Sequence, residues 1–439
     1  MADLAGADIP LNGELRPSGR GDGYAVIGET LWVRGKSFGR QPTVTIGGRP
    51  TTVWSRTGDG GLLVRVPVGA SVGRTTVSVK QEHGTASAEL TVRRYAAVLA
   101  GGHLTWLDLG GEQPKAATEL DVSGGRFLRL SPDGRAAYVI GSAGLELFEV
   151  TAPHLPERRG ATPLGAEAIV AVAGGPSATA LAVVRAEDVV MVDIASPLRP
   201  IARAPRPLPP LVRAGRVTRA ELSPDGRLLA LGVAEGNRVL LVETARLGGG
   251  DAAITADLPL DRETRAPVIA DLAFAHDGRT LWVMTGDTAE SKPLGPQPTR
   301  VLALRVRDGK LALARTVTLD KVTEPVRLST GRSLPLSSGA AVRLPPEKAT
   351  VYVTGASGAH PMVFSIGAED AATQVAAGQG GRAGGLDVTP EGRWLLAAAV
   401  DGPRLQLMTA PADGRGDEVR ALTLVAGSGD TAAEVRIQP

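Results

Sequence analysis

Cysteine is absent from the 439-residue chain. That excludes disulfides, thiolate metal sites and cysteine nucleophiles. The absence fits any compartment and suits an oxidising one. Aromatic residues make up only 3% of the chain, too few to expect a stacking groove for single-stranded nucleic acid or sugars. Charge of one sign is also lacking. The 48 basic residues meet 46 acidic ones, so a protein that coats DNA electrostatically is not expected. No apolar run reaches the length of a membrane span. The N-terminus, MADLAGADIPLNGELRPSGRGDG, has neither a basic n-region nor an apolar h-region, and as written it is not a signal peptide. The cytoplasm is therefore the default compartment.

Chemical signatures are equally sparse. The five histidines, His83, His103, His154, His276 and His360, never fall at i,i+2 or i,i+4 spacing, so no zinc motif forms. No G-x-S-x-G elbow, H-E-x-x-H pair, Walker A loop, G-x-G-x-x-G fingerprint or D-x-D-x-D-G calcium loop occurs. No catalytic residue, metal or cofactor is expected from the sequence. RGD occurs at 20–22 and 415–417, but in a chain rich in glycine and arginine such triplets arise readily by chance.

What is present is strand and turn. Glycine (56) and proline (32) together account for about one residue in five, which suits many short strands joined by turns. Apolar residues reach 43%, enough for a real core. After an N-terminal extension (1–23), the segment 24–93 alternates apolar and polar residues in short runs: TLWVRGKSF, PTVTIGG, GLLVRVP, TTVSVK and AELTV. Strands at this spacing without helical periodicity predict a small β-sandwich.

From residue 94 a repeat takes over. SPDGR at 131–135 and at 223–227, AHDGR at 275–279 and TPEGR at 389–393 each precede two apolar strands, with weaker copies at 175–179 and 345–349. The second turn residues sit at 132, 176, 224, 276, 346 and 390, at intervals of 44, 48, 52, 70 and 44. A four-stranded propeller blade takes about 40–50 residues. A seventh strand pair, AAVLAGGHLTWLDL at 96–109, lacks an inner strand, and AAEVRI at 432–437 resembles the inner strands RFLRLS and TRAELS. The C-terminus should pair into the first blade and close a seven-bladed ring, removing the open sheet edges. The predicted fold is all-β: an Ig-like sandwich, then a seven-bladed β-propeller over 94–439 closed by the C-terminal strand. Only Arg93 to Ala96 separate the two, too short a tether for free relative motion.

Two family resemblances follow from these residues. Gly35-Lys36-Ser37-Phe38-Gly39, PTVTIGG, LLVRVPVGASVG, VSV and Gly84 resemble an IPT/TIG immunoglobulin-like domain over about 70 residues. The SPDGR/TPEGR turns with their following strands resemble YVTN and lactonase-like seven-bladed propellers. In the turns, proline presets φ, aspartate accepts from the turn backbone and glycine takes positive φ, so Asp133, Asp225 and Asp277 are read as turn residues, not metal ligands. The resemblances imply a bacterial binding or scaffold protein, with cell envelope or a virion-like particle as alternative settings. A lactonase-like hydrolase working in the central channel is the alternative, although no channel residue matches by motif.

Three expanded segments stand out: 197–217, 287–299 and the connection near 322–338. All three are expected on one propeller face, where long loops on a rigid scaffold commonly bind partners. The first holds Arg199, Arg203, Arg206, Arg213, Arg216 and Arg219 with no acidic residue before Glu221. Its prolines favour a projecting polyproline II loop over a helix. Guanidinium forks there suit carboxylates or phosphates. The expected partner is therefore a protein or an anionic polymer, not a specific nucleic acid.

Overall fold

In the computed structural model the chain is described over residues 3–8, 16–17, 23–34, 38, 40–56, 61–81, 84–111, 114–122, 124–150, 156–165, 168–175, 178–260, 268–286, 299–319, 324–330, 351–357, 360–366, 372–377, 382–389, 395–401, 404–410, 420–425 and 434–438. The architecture is all-β: two five-stranded sheets, then seven blades. The sandwich strands are β1 (Asp3–Asp8), β2 (Arg16–Pro17), β3 (Tyr24–Val26), β4 (Thr30–Arg34), β5 (Thr43–Ile46), β6 (Arg49–Thr51), β7 (Val53–Arg56), β8 (Leu62–Arg65), β9 (Gly73–Gln81) and β10 (Gly84–Arg93). One sheet runs β2-β1-β4-β8-β7 and the other β3-β10-β9-β5-β6. Alternation decides which side chains meet between them: Leu31 and Val33 of β4 join Leu62 and Val64 of β8 and Val77 and Val79 of β9 in one buried cluster. Asp3–Asp8, within the segment read as an extension, pairs antiparallel with β4.

The propeller closes as the repeat predicts. Blade one is built from Glu434–Ile437 inside, then Tyr95–Ala100, His103–Asp108 and Lys115–Asp121. The C-terminal strand pairs antiparallel with the first propeller strand, Ala96 opposite Ile437 and Leu99 opposite Glu434. Blade two (Gly125–Leu130 innermost) and blade four (Val217–Leu222 innermost) carry the SPDGR turns between their first two strands. In blade two, Asp133 accepts from the Ser131 hydroxyl at 2.8 Å and from the Arg135 N–H at 3.2 Å, while Ser131 Oγ accepts from Ala136 N–H at 2.9 Å. Blade four repeats this with Ser223, Asp225, Arg227 and Leu228. Gly134 and Gly226 sit at φ 74° and 71°, where a side chain would be strained. Burial alone would raise the Asp225 carboxyl, but the Ser223 hydroxyl and the Arg227 N–H outweigh it and hold it below the usual carboxylate range. These aspartates are structural.

The junction is tighter than the sequence suggests. Only Arg94 lies between β10 and the strand Tyr95–Ala100, and Val26 of the sandwich shares an apolar cluster with Tyr95, Trp106 and Ala137 of the propeller. Gln438, fully buried, fastens this seam. Its backbone N–H donates to Tyr95 O at 2.9 Å. Its side-chain Oε1 accepts from Tyr95 N–H at 2.7 Å, and Nε2 donates to Ile27 O at 3.2 Å and to Gly134 O at 2.6 Å. Its backbone N–H and Oε1 thus repeat what Ser131 does in blade two, where Ser131 N–H donates to Ala136 O at 2.8 Å. The sandwich therefore enters where blade one would otherwise have its first turn, on the same end of the propeller as the SPDGR turns.

Candidate functional site

Six arginines stand out in the sequence, and the structure spreads them over the outer edge of blade three, the link to blade four and blade four itself. The segment is not a projecting loop. Ile201–Ala202 pairs with Val192 and Asp193, and Arg206–Pro207 pairs with Asp188 and Val189, so the stretch forms the interrupted outer strand of blade three. Nor does its proline content prevent a helix. Pro210–Ala214 is a single helical turn with proline at its start, where the fixed φ favours helix and no N–H is needed. Leu208 and Val212 bury against the cluster shared by blades three and four, which holds that turn in place.

Arg199 lies in the connection ahead of this outer strand, on the end bearing the SPDGR turns. Arg203 and Arg206 lie along the strand, and Arg213 and Arg216 lie in the link to blade four at the opposite end. Arg219 does not belong to the group. It sits on the inner strand of blade four, where Nε donates to Ala270 O at 2.5 Å and lies 4.0 Å from Asp271. Arg203 pairs with Asp193 at 2.7 Å and Arg213 with Glu187 at 3.3 Å. The Ala195 N–H, with Arg203 second, holds the Asp193 carboxyl below the usual range. Arg199, Arg206 and Arg216 are exposed and make no ion pair among the described residues. A blade strand of about six residues spans roughly 20 Å. Arg199 and Arg206 thus lie on the outer edge of blade three, while Arg216 lies directly ahead of the innermost strand of blade four.

The expanded segments do not share one face. Residues 287–298 join the second and third strands of blade five; within 322–338, by contrast, Glu324–Thr330 is the innermost strand of blade six, and 331–350 join it to the second strand, Val351–Ser357. They therefore leave the propeller at opposite ends. Both lie outside the described residues, as do the two RGD triplets.

The central channel is the other place to look. Its inner strands carry buried charge that runs from blade to blade. Glu434 accepts from Leu128 N–H at 2.7 Å and pairs with Arg129 at 3.2 Å. Arg129 donates onward to Val172 O in blade three. Asp387 of blade seven accepts from Ile437 N–H at 2.8 Å. These carboxylates and guanidiniums tie neighbouring inner strands together, an arrangement that β-sheet sequence alternation alone does not reveal. His103 lies away from the channel in blade one, its Nδ1 3.0 Å from Asp121. Among the described residues no group of His, Asp and Glu is arranged to hold a metal ion, and no helix is long and apolar enough to cross a membrane.

Comparison with known proteins agrees with this architecture. Residues 22–93 match the family model of the IPT/TIG domain. No curated protein matches the chain. Among solved structures, a 6-phosphogluconolactonase-like protein of Bacteroides fragilis is similar to this chain at 12% identity and a TM-score of 0.54, covering 79% of this chain and 98% of its own. The periplasmic gluconolactonase of Pseudomonas aeruginosa is similar at 14% identity and a TM-score of 0.54, covering 79% and 99%. At such identity the likeness establishes the propeller fold.

Proposed function

We propose that this is a non-enzymatic binding protein whose blade-three rim engages an extended anionic partner, an acidic protein segment or an anionic polymer. The carrying observation is the run of exposed arginines, Arg199 and Arg206 on the outer edge of blade three and Arg216 at the end of the link into blade four, all without ion pairs among the described residues. Guanidinium groups held on a rigid strand and a packed turn lose less freedom on binding than they would on a free loop, which favours the complex. A globular partner would touch part of this line, and an extended one can follow it.

The hydrolase alternative has less to support it. A catalytic carboxylate must reach a substrate, and the channel carboxylates described here accept hydrogen bonds from neighbouring inner strands. Likeness in fold to gluconolactonases does not by itself place a catalytic site in this chain.

The test is a pull-down from the native organism at low salt, followed by elution in a salt gradient. The wild type should retain an acidic partner that elevated salt releases, because exposed pairs are screened within about 8–10 Å. Retention of the same partner by an R199S/R206S/R216S variant, unchanged in its elution, would refute the assignment. Turnover of a gluconolactone by the pure protein would favour the hydrolase.

A further inference from the structure

One sheet of the sandwich is completed by a strand from outside the domain. The immunoglobulin-like domain proper spans 22–93, and residues between Ala25 and Val92 build its buried cluster. The edge of β4 is nevertheless occupied by β1, from the segment ahead of that domain. The pairing is antiparallel, with Asp3 opposite Arg34, Leu4 opposite Val33, Ala5 opposite Trp32 and Gly6 opposite Leu31. β2 pairs with the far end of β1, Ala7 opposite Pro17 and Asp8 opposite Arg16. Over 3–6, β1 is therefore held from one side alone among the described residues.

This occupant is a poor strand former. Asp3–Asp8 reads DLAGAD, and aspartate, alanine and glycine are all depleted in strands, glycine because it costs backbone entropy and has no side chain to pack. The strand it covers is a good one. β4 alternates Leu31 and Val33, fully buried in the sandwich cluster, with Trp32, half-buried, and Arg34, exposed, on the outer face. The Arg34 guanidinium lies 4.0 Å from the Trp32 ring centroid. Residues directly opposite across an antiparallel pair share a face. An incoming strand with β-branched residues opposite Val33 and Leu31, and an acid opposite Arg34, would suit this edge at each position. The arm meets the charge condition with Asp3 but offers only glycine opposite Leu31. A strong edge strand under a weak cover is a template for strand addition.

We propose that the β4 edge is a docking site for an extended segment of a protein partner, and that residues 3–8 occupy it as a displaceable cover. The arm has the advantage of its tether, an effective concentration of about a millimolar. A β-branched residue in place of glycine or alanine is worth up to about fivefold per position. Three such replacements, at the places held by Ala5, Gly6 and Ala7, give a partner segment about a hundredfold over the arm. That sets a dissociation constant of about ten micromolar against the covered site. The edge lies on the sandwich, apart from the blade-three arginines.

The probe is a labelled peptide with blocked ends, Asp-Ile-Thr-Val-Thr-Lys, which carries no net charge. It is titrated into the full chain by fluorescence polarisation, beside a scrambled peptide. The wild type should bind it at about ten micromolar, and the scramble at least tenfold more weakly. Leu4→Pro/Ala5→Pro removes the backbone donor at two successive positions, one of which must face β4. This variant should bind the peptide at least tenfold more tightly than wild type. In that background Arg34→Asp should weaken binding about fivefold, and a peptide with lysine in place of its aspartate should recover the loss. R199S/R206S/R216S should bind as the wild type does, which separates this edge from the rim. Hydrogen exchange on the unmodified chain is the second measurement: saturating peptide should expose the amides of 3–8 while those of 30–34 stay protected. Equal affinity for the peptide and its scramble, wild-type affinity in L4P/A5P, protection of 3–8 with peptide bound, or loss of binding in R199S/R206S/R216S would overturn the proposal. Dimerisation of L4P/A5P in light scattering would overturn it too, by assigning the edge to a second copy of the chain.

Discussion

Replacing Gln438 with alanine removes a side chain that joins the ring closure, the sandwich and the first SPDGR turn. Three buried backbone groups lose their partner: Tyr95 N–H, Ile27 O and Gly134 O. A buried group left unsatisfied costs about 1–3 kcal/mol, and less where water can enter the space vacated. A loss of about 3–5 kcal/mol follows. With an unfolding entropy of about 2.1 cal/mol/K per residue, a cooperative propeller of this size should then melt about 5 °C lower. Gln438→Glu is the sharper variant. It keeps an acceptor for Tyr95 but loses the donor, and it faces two carbonyl oxygens with a carboxylate. It should be at least as destabilising as alanine. Differential scanning calorimetry at neutral pH gives both values. A melting temperature within 1 °C of wild type for either variant would refute the role assigned to this residue.

Other outcomes are fixed by the same contacts. Deleting residues 434–439 removes the inner strand of blade one and exposes its edge, so the protein should aggregate or lose a large part of its thermal stability, read by light scattering during a melt. At Gly28, φ is +83° and an added Cβ would meet Asp133 O at 2.4 Å; Gly28→Ala should open the seam and speed proteolysis between sandwich and propeller. Asp193 and Asp225 have folded-state pKa values lowered by their hydrogen bonds. Their contribution is present above the unfolded value of about 3.9 and is lost as pH falls through the folded values. The stability gap between wild type and D193N/D225N should therefore be open at pH 7 and narrow below pH 4, measured by denaturant titration.

The repeat and its closure were readable because turn chemistry and strand alternation recur at a blade-sized interval. The SPDGR turns show it best, since serine, aspartate and glycine each have one local task there. The seam was not readable. Gln438 stands in for a turn serine across the whole length of the chain, and no local pattern links residue 438 to residues 27, 95 and 134. The face assigned to the long segments failed for a related reason. Val326-Arg327-Leu328 and Val342-Arg343-Leu344 carry the same triplet, and alternation cannot choose between them as the inner strand of blade six. The arginine stretch differs from its sequence expectation because proline breaks a helix only in its interior, not at its first position. At Pro210 it opens a helical turn whose Val212 is then buried.

A cationic edge on blade three, continued by Arg216, should bind an extended anionic partner. The decisive measurement is affinity for polyglutamate, for wild type and for R199S/R206S/R216S, over a range of sodium chloride concentrations. Wild-type binding should weaken steeply with salt, and the variant should bind about tenfold more weakly at low salt, the effect expected when three exposed pairs are lost. Equal affinities for the two proteins, independent of salt, would contradict it.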